Sequence, residues 1–269
     1  MLKATPLSEL AATNLKTAIA VGICLFFTAS AHAECESVRL DRPGWSMEQV
    51  RVSDQGSLPI CYVYSATSLF EAFLRTEKVN ISQPLNGLEI FRRIEKSNEY
   101  ESIRSADTGR TCNVLKWLQE ESRAKGQKNH IDDFTCADFG FELNEKTKRK
   151  ELHTPNEFKA YVQNSLPLGI EYCSGVLSSQ SEFIHNRSFR SNLDYLNTSD
   201  RSENLTSGCG FHASVLIGRE KLPDGKCALI IQNSWGEYIG YPNRKNDHGK
   251  IWIPEDELSV NPLRVIEIN

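Results

Sequence analysis

Cys61 stands at the head of a run in which apolar residues recur every three or four positions: Val63, Ala66, Leu69, Phe70, Phe73 and Leu74. At a helix start, unsatisfied backbone N–H groups and the helix dipole favour an anion, so a thiol there is expected to have a lowered pKa and to act as a nucleophile. Upstream, Gln55 in Asp54-Gln55-Gly56-Ser57 carries an amide that could donate to an oxyanion formed beside the Cys61 backbone N–H. Far downstream, His212 opens one apolar run and Asn233 closes the next, in Asn233-Ser234-Trp235-Gly236. A thiol, an imidazole and an amide in that chain order supply a nucleophile, a proton carrier and a group that orients the ring without competing for its proton.

Such residues need elements to carry them. The spacing predicts a buried amphipathic helix from Cys61 to about Lys78, with Pro59 just upstream, and further helices over Leu88–Ile94, Val114–Leu118 and Phe158–Val162. Beyond residue 165 short apolar runs at Leu168–Tyr172, Ala213–Ile217, Ala228–Ile231 and Ile251–Ile253 are broken by Gly, Pro and Asp, the pattern of strands. A helical half followed by a strand half predicts an α+β protein with a cleft between two lobes. Between Cys173 and Cys209 the chain is rich in serine and poor in core residues, which predicts an exposed excursion carrying Phe183, Phe189 and Tyr195.

The motifs Asp54-Gln55-Gly56-Ser57-x-x-x-Cys61-x-x-x-Ser65-Ala66-Thr67, His212-Ala213-x-x-x-x-Gly218 and Asn233-Ser234-Trp235-Gly236 resemble those of the papain-like cysteine peptidase family. The likeness runs from about residue 49 to the carboxyl end, where Gly249-Lys250-Ile251-Trp252-Ile253-Pro254 resembles the family's last core strand. It implies a papain-like two-lobed α+β fold with a helical lobe over about 49–150 and a β-barrel-like lobe over about 151–269. It also implies Cys61 as nucleophile, His212 as general base and acid, Asn233 as the residue orienting the imidazole, Gln55 as oxyanion donor and Trp235 as a shield. The implied reaction is peptide-bond hydrolysis through an acyl-enzyme, by a monomer acting on protein or peptide substrates with no metal and no organic cofactor. Three departures are visible. Leu58-Pro59-Ile60 replaces Cys-Gly-Ser before the nucleophile and Tyr62 replaces Trp after it, so one family disulfide is absent; Phe211 stands where Asp or Asn is common; and the nearest candidate for a glycine-rich substrate-backbone segment is Thr108-Gly109-Arg110-Thr111-Cys112. The same scaffold also allows capture of the thioester by an amine, giving a transpeptidase or amide-forming enzyme, or a binding module without catalysis.

Residues 1–33 read as a signal peptide: Lys3 and Lys16 precede the apolar run Ala18–Phe27, and Ala31-His32-Ala33 is a small-x-small cleavage signal. A secreted or periplasmic mature chain from residue 34 is expected, without a membrane span and with too little room before Gln55 for an inhibitory prosegment. Cleavage removes Cys24 and leaves seven cysteines, an odd number in an oxidising compartment. With Cys61 set aside, Cys35, Cys112, Cys136, Cys173, Cys209 and Cys227 are disulfide candidates. Proximity in the chain suggests Cys112 with Cys136 and Cys173 with Cys209, leaving Cys35 with Cys227. The 269 residues are 25% charged with a net charge of −4, which argues against nucleic acid as a partner. No phosphate-binding loop, His-Glu-x-x-His or Gly-x-Ser-x-Gly is present, and His130, His153, His185 and His248 lack the paired spacing of metal ligands.

Overall fold

A computed structural model describes residues 35–79, 81–105, 110–124, 134–137, 142–144, 149–151, 166–178, 211–239, 241, 244–258 and 262–268. Four helices occupy the stretch from residue 61 to residue 124: α1 (Cys61–Thr76), α2 (Gly87–Glu95), α3 (Tyr100–Ser105) and α4 (Arg110–Ala124). Helix α2 starts at Asn86, whose side chain accepts from the Leu88 and Glu89 amides and so satisfies two otherwise orphaned donors. Helix α1 has no such cap. Its periodicity suggested one apolar face, yet it is buried on nearly all sides, packed between α2, α4 and the sheet. The polar residues it carries are therefore bonded internally: Glu71 accepts from the Arg75 guanidinium at 2.6 Å and from the Leu85 amide at 2.8 Å.

The strands are β1 (Val38–Arg39), β2 (Phe134–Ala137), β3 (Glu142–Asn144), β4 (Arg149–Glu151), β5 (Leu168–Cys173), β6 (Phe211–Lys221), β7 (Cys227–Gln232), β8 (Asn246–Asp247), β9 (Lys250–Pro254) and β10 (Pro262–Ile268). All except β3 and β4, which pair with each other, belong to one antiparallel sheet in the order β2-β10-β5-β6-β7-β9-β8, with β1 pairing against β6. The four runs read as strands are β5, β6, β7 and β9. Their near-continuous apolar character follows from burial of both sheet faces. Val215, Ile217, Ala228, Ile230 and Trp252 join the helices in one core, while Leu216, Leu229, Ile231, Ile251 and Ile253 form a second core with Val176, Leu177 and Leu258. Successive side chains alternate between the two, as the pleat requires.

Among the described residues the sheet is open, because its terminal strands β2 and β8 do not pair with each other. Two details differ from expectation. Ile251–Ile253 is not in the last strand; β10 follows it and lies between β2 and β5, with Ile266 and Val265 filling the two cores. The half read as helical also contributes a strand, since β2 pairs with β10 from Phe134↔Ile268 to Ala137↔Val265. The expected helix at Phe158–Val162, the aromatics Phe183, Phe189 and Tyr195, and His130, His153 and His185 lie outside the described residues, as does the segment 1–33.

Cys35 is disulfide-bonded to Cys227, as the elimination suggested, with Cα atoms 5.6 Å apart. Cys112 is also disulfide-bonded. The proposed Cys112–Cys136 and Cys173–Cys209 pairs involve side chains outside the described residues. Among the described residues the free cysteine is Cys61, no helix is long and apolar enough to cross a membrane, and no group of three or more His, Cys, Asp or Glu could hold a metal ion.

Candidate active site

The lead-in Leu58-Pro59-Ile60 turns the chain into α1 through a bond from the Ile60 amide to the Leu58 carbonyl at 2.9 Å. Ile60 then serves as N-cap without a side-chain bond, and its carbonyl accepts from the Val63 and Tyr64 amides. Cys61 is the first helical residue, and the helix has no acidic side chain in its first turn. The backbone amides of Ala213 and Tyr62 favour the ionised form of the Cys61 sulfur, which places the thiol near the residue that follows His212.

His212 and Asn233 meet because β6 and β7 form an antiparallel hairpin, closed by the bond from the Leu222 amide to the Lys226 carbonyl. His212 lies near the start of one arm and Asn233 just past the end of the other. Their side chains bond Nε2 to Oδ1 at 2.6 Å. The tautomer follows from the neighbours. The Ser234 amide, which can only donate, points at the same Asn233 oxygen at 2.8 Å, while the other amide atom, Nδ2, donates to the Tyr241 hydroxyl at 2.6 Å. The Asn233 atom facing the ring is thus the acceptor, His212 Nε2 carries the proton, and Nδ1 is left as the acceptor. Asn233 is fixed further by its own amide, which donates to the Gly249 carbonyl at 3.0 Å, and by the Ser214 hydroxyl, 3.2 Å from Oδ1. Burial pushes the Tyr172 phenol up and keeps it protonated, so it donates to Ser214, 2.8 Å away, which in turn donates to Asn233.

Aromatic rings enclose the imidazole. Trp235 lies with its centroid 4.7 Å from that of His212, tilted by 42°, and Tyr172 meets it edge-on at 5.6 Å. Trp235 itself stacks on Tyr241. Gln55 is tied to the same loop: its amide accepts from the Ser234 hydroxyl at 2.5 Å and donates one of its two N–H hydrogens to the Leu58 carbonyl at 2.7 Å, while its backbone amide donates to the Ser234 carbonyl. Cys61, His212, Gln55 and Trp235 line one cavity of about 300 Å³, together with Gly56, Ser57, Leu58, Pro59, Arg110 and Ser174. The structure thus gathers all five sequence-singled residues, four in the cavity wall and Asn233 behind His212.

Electrostatics differ from the expected ready-made thiolate. Burial pushes the Cys61 thiol above its ordinary value, outweighing the Ala213 and Tyr62 amides; the Glu171 charge adds to the rise and the Arg110 charge opposes it. Burial also lowers His212 to about 4, against the raising effect of its bond to Asn233. Taking a charge out of water costs more than these donors return, so the resting pair is a neutral thiol and a neutral imidazole. A raised thiol and a lowered imidazole both make proton transfer from sulfur to the ring uphill in the resting cavity.

Ser214, Tyr172 and Tyr241 were not singled out from the sequence. Ser214 is two residues beyond His212 on one strand and shares its face, a signal that strand alternation contains. Tyr172 depends on the register that sets it opposite His212, which no local pattern encodes.

No protein-family model matches the sequence, and no curated protein matches it either. Solved structures of similar shape include two cysteine proteases. The bromelain protease from Ananas comosus, in complex with the E64 inhibitor, has 12% sequence identity and a TM-score of 0.47, over 81% of this chain and 92% of that one. Xylellain, a cysteine protease from Xylella fastidiosa, has 15% identity and a TM-score of 0.47, over 88% of this chain and 87% of that one.

Proposed function

We propose that the protein is a secreted cysteine-type peptidase. The observation that carries this reading is an unbridged Cys61 sharing one cavity with His212, whose far nitrogen is fixed by Asn233. In the proposed cycle Sγ attacks the substrate carbonyl carbon while its proton passes to His212 Nδ1. The carbonyl oxygen, now negative, accepts from the Cys61 backbone N–H and from the remaining hydrogen of the Gln55 amide. The carbon–nitrogen bond breaks and His212 returns the proton to the departing amine. Water then attacks the thioester, giving one proton to His212 and, through it, restoring the thiol. Trp235 covers the imidazole and limits competing solvent.

Secretion is supported by the apolar run and cleavage signal within residues 1–33 and by the Cys35–Cys227 bond, since such bonds persist in oxidising compartments. The test is cleavage profiling on a diverse peptide library with Cys61→Ala as the control. Peptide products with new carboxyl ends, absent from the Cys61→Ala digest, are expected. Products that join an added amine faster than water would instead identify an amide-forming enzyme, and cleavage that survives Cys61→Ala would overturn the reading.

A further inference from the structure

Residues 53–55 and 234–236 run antiparallel as a short ladder. The Gln55 amide donates to the Ser234 carbonyl at 2.8 Å, the Gly236 amide donates to the Ser53 carbonyl at 3.0 Å, and Asp54 pairs with Trp235 between them. The ladder therefore holds Gln55 and Trp235 in one frame, and it also bounds a second cavity. That cavity, of about 720 Å³, has Val52, Asp54, Gly56, Trp235, Tyr238 and Ile239 in its wall. Gly56 and Trp235 line the Cys61 cavity as well, so the two spaces adjoin, and Gly56 brings no side chain to the junction.

Apolar side chains meet solvent around these two spaces. Tyr238 is 93% exposed, Ile239 42% and Leu58 41%. They are three of the four exposed large hydrophobic side chains among the described residues, and each lines one of the adjoining cavities. A lone exposed apolar residue is ordinary, but several gathered around one depression mark a binding surface. The chemistry sets the direction. His212 has to pass its proton to the departing amine, and Trp235 lies against His212 with ring centroids 4.7 Å apart. The amine half of a substrate therefore leaves Cys61 on the Trp235 side and runs toward Tyr238 and Ile239. A sphere of this second cavity's volume is about 11 Å across, a span of three or so extended residues at ~3.4 Å each.

We infer that this second cavity makes the site selective for polypeptides carrying an aromatic or branched aliphatic side chain within about three residues of the cleaved bond on its amine side, with Tyr238 and Ile239 as the specificity-determining contacts. The inference rests on Cys61 being the attacking group and adds a substrate class to that reading: a chain that continues past the cut rather than one that ends at it. A ring or branched side chain packed against Tyr238, Ile239 and Trp235 takes apolar area out of water on both partners. Contacts remote from the reacting bond stabilise substrate and transition state alike and so act on kcat/KM. Replacing Ser by Phe at the right position should raise it about tenfold, a difference of ~1.4 kcal/mol.

Two arms test this with the full mature chain and its Tyr238→Phe, Tyr238→Ser and Ile239→Ser variants, at exposed positions outside both cores. In the first, peptides share one acyl half and differ by Phe or Ser, and by Leu or Ser, at each of the first three positions on the amine side; a parallel set moves the same exchanges to the acyl side. Wild type is expected to prefer Phe and Leu on the amine side, Tyr238→Phe to retain that preference, and Tyr238→Ser and Ile239→Ser each to reduce it several-fold. In the second arm every protein also carries Cys61→Ala, and the same peptides, fluorescently labelled, are titrated by polarisation, which needs no cleavage. The ratio of Kd for the Ser peptide to Kd for the Phe peptide should fall with the same substitutions. A response of the amine-side ratio in either arm supports the inference. Ratios that ignore Tyr238→Ser and Ile239→Ser in both arms overturn it even if peptides are cleaved, as does a response confined to the acyl side. Absence of cleavage with Kd ratios that follow residues 238 and 239 supports it, and then the peptidase reading alone has failed.

Discussion

His212 combines two demands that burial sets against each other. The ring has to take a proton during the proposed chemistry, yet its surroundings hold its pKa near 4. In the unfolded chain the same ring titrates near 6.5, so between these values the unfolded state binds more protons than the folded one. The stability linked to His212 is complete above about pH 6.5 and is lost as pH falls toward about 4, a decline on the order of 3 kcal/mol. Denaturant midpoints measured between pH 7 and 4 should fall for wild type and fall less for His212→Gln; parallel curves would show that the ring is not buried as described. The residues of this site were legible to different degrees. Cys61, Gln55, His212 and Asn233 sit in short motifs whose spacing carries their chemistry, whereas Ser214, Tyr172 and Tyr241 act through bonds between chain segments that no motif joins. The ionisation state was misread for a related reason: the helix start is local, but the burial that opposes it comes from the whole fold.

Among the elements, the hairpin of β6 and β7 aligns His212 with Asn233, and the chain just before β9 fixes Asn233 from behind. Gly249 has φ of +75°, and a Cβ there would strike Val52 and approach the Gly236 carbonyl at 2.9 Å. Only glycine offers both that conformation and that closeness, while its own carbonyl takes the Asn233 amide. Gly249→Ala should therefore cost about 1–3 kcal/mol of stability and lower kcat more than KM, because Asn233 would shift. Gly225, with φ of +87° at the hairpin turn, has open space around it. Gly225→Ala should cost about 1–2 kcal/mol for the left-handed conformation and leave kcat unchanged, so thermal midpoints and steady-state rates of the two variants separate strain from displacement. Strands β5, β6, β7 and β9 were readable because both faces are buried and their runs are apolar. Strands β1, β2 and β8 were not, since edge strands of two to four residues leave too short a pattern, and β10 was missed although it is central, because Pro262 and Arg264 interrupt its apolar run.

At the scale of the whole molecule, two cores share one sheet, and the Cys35–Cys227 bond closes a chain segment of 192 residues around them. Constraining so long a segment restricts the unfolded ensemble, so Cys227→Ser should lower stability by about 2–5 kcal/mol. Calorimetry with and without dithiothreitol checks this: the wild-type midpoint should drop with the reagent, and the variant's should move less. The open order of the sheet was not legible, since closure depends on whether two strands far apart in the chain meet. The bond at Cys227 has a practical corollary. It secures the near end of β7, whose far end leads into Asn233. Thiol enzymes are ordinarily kept in strong dithiol solutions to protect the reactive sulfur from oxidation. For this protein such storage would also slacken the strand that aligns the imidazole, so a preparation could fade on the shelf with its Cys61 chemically intact, and brief exposure to a mild monothiol just before use would preserve both.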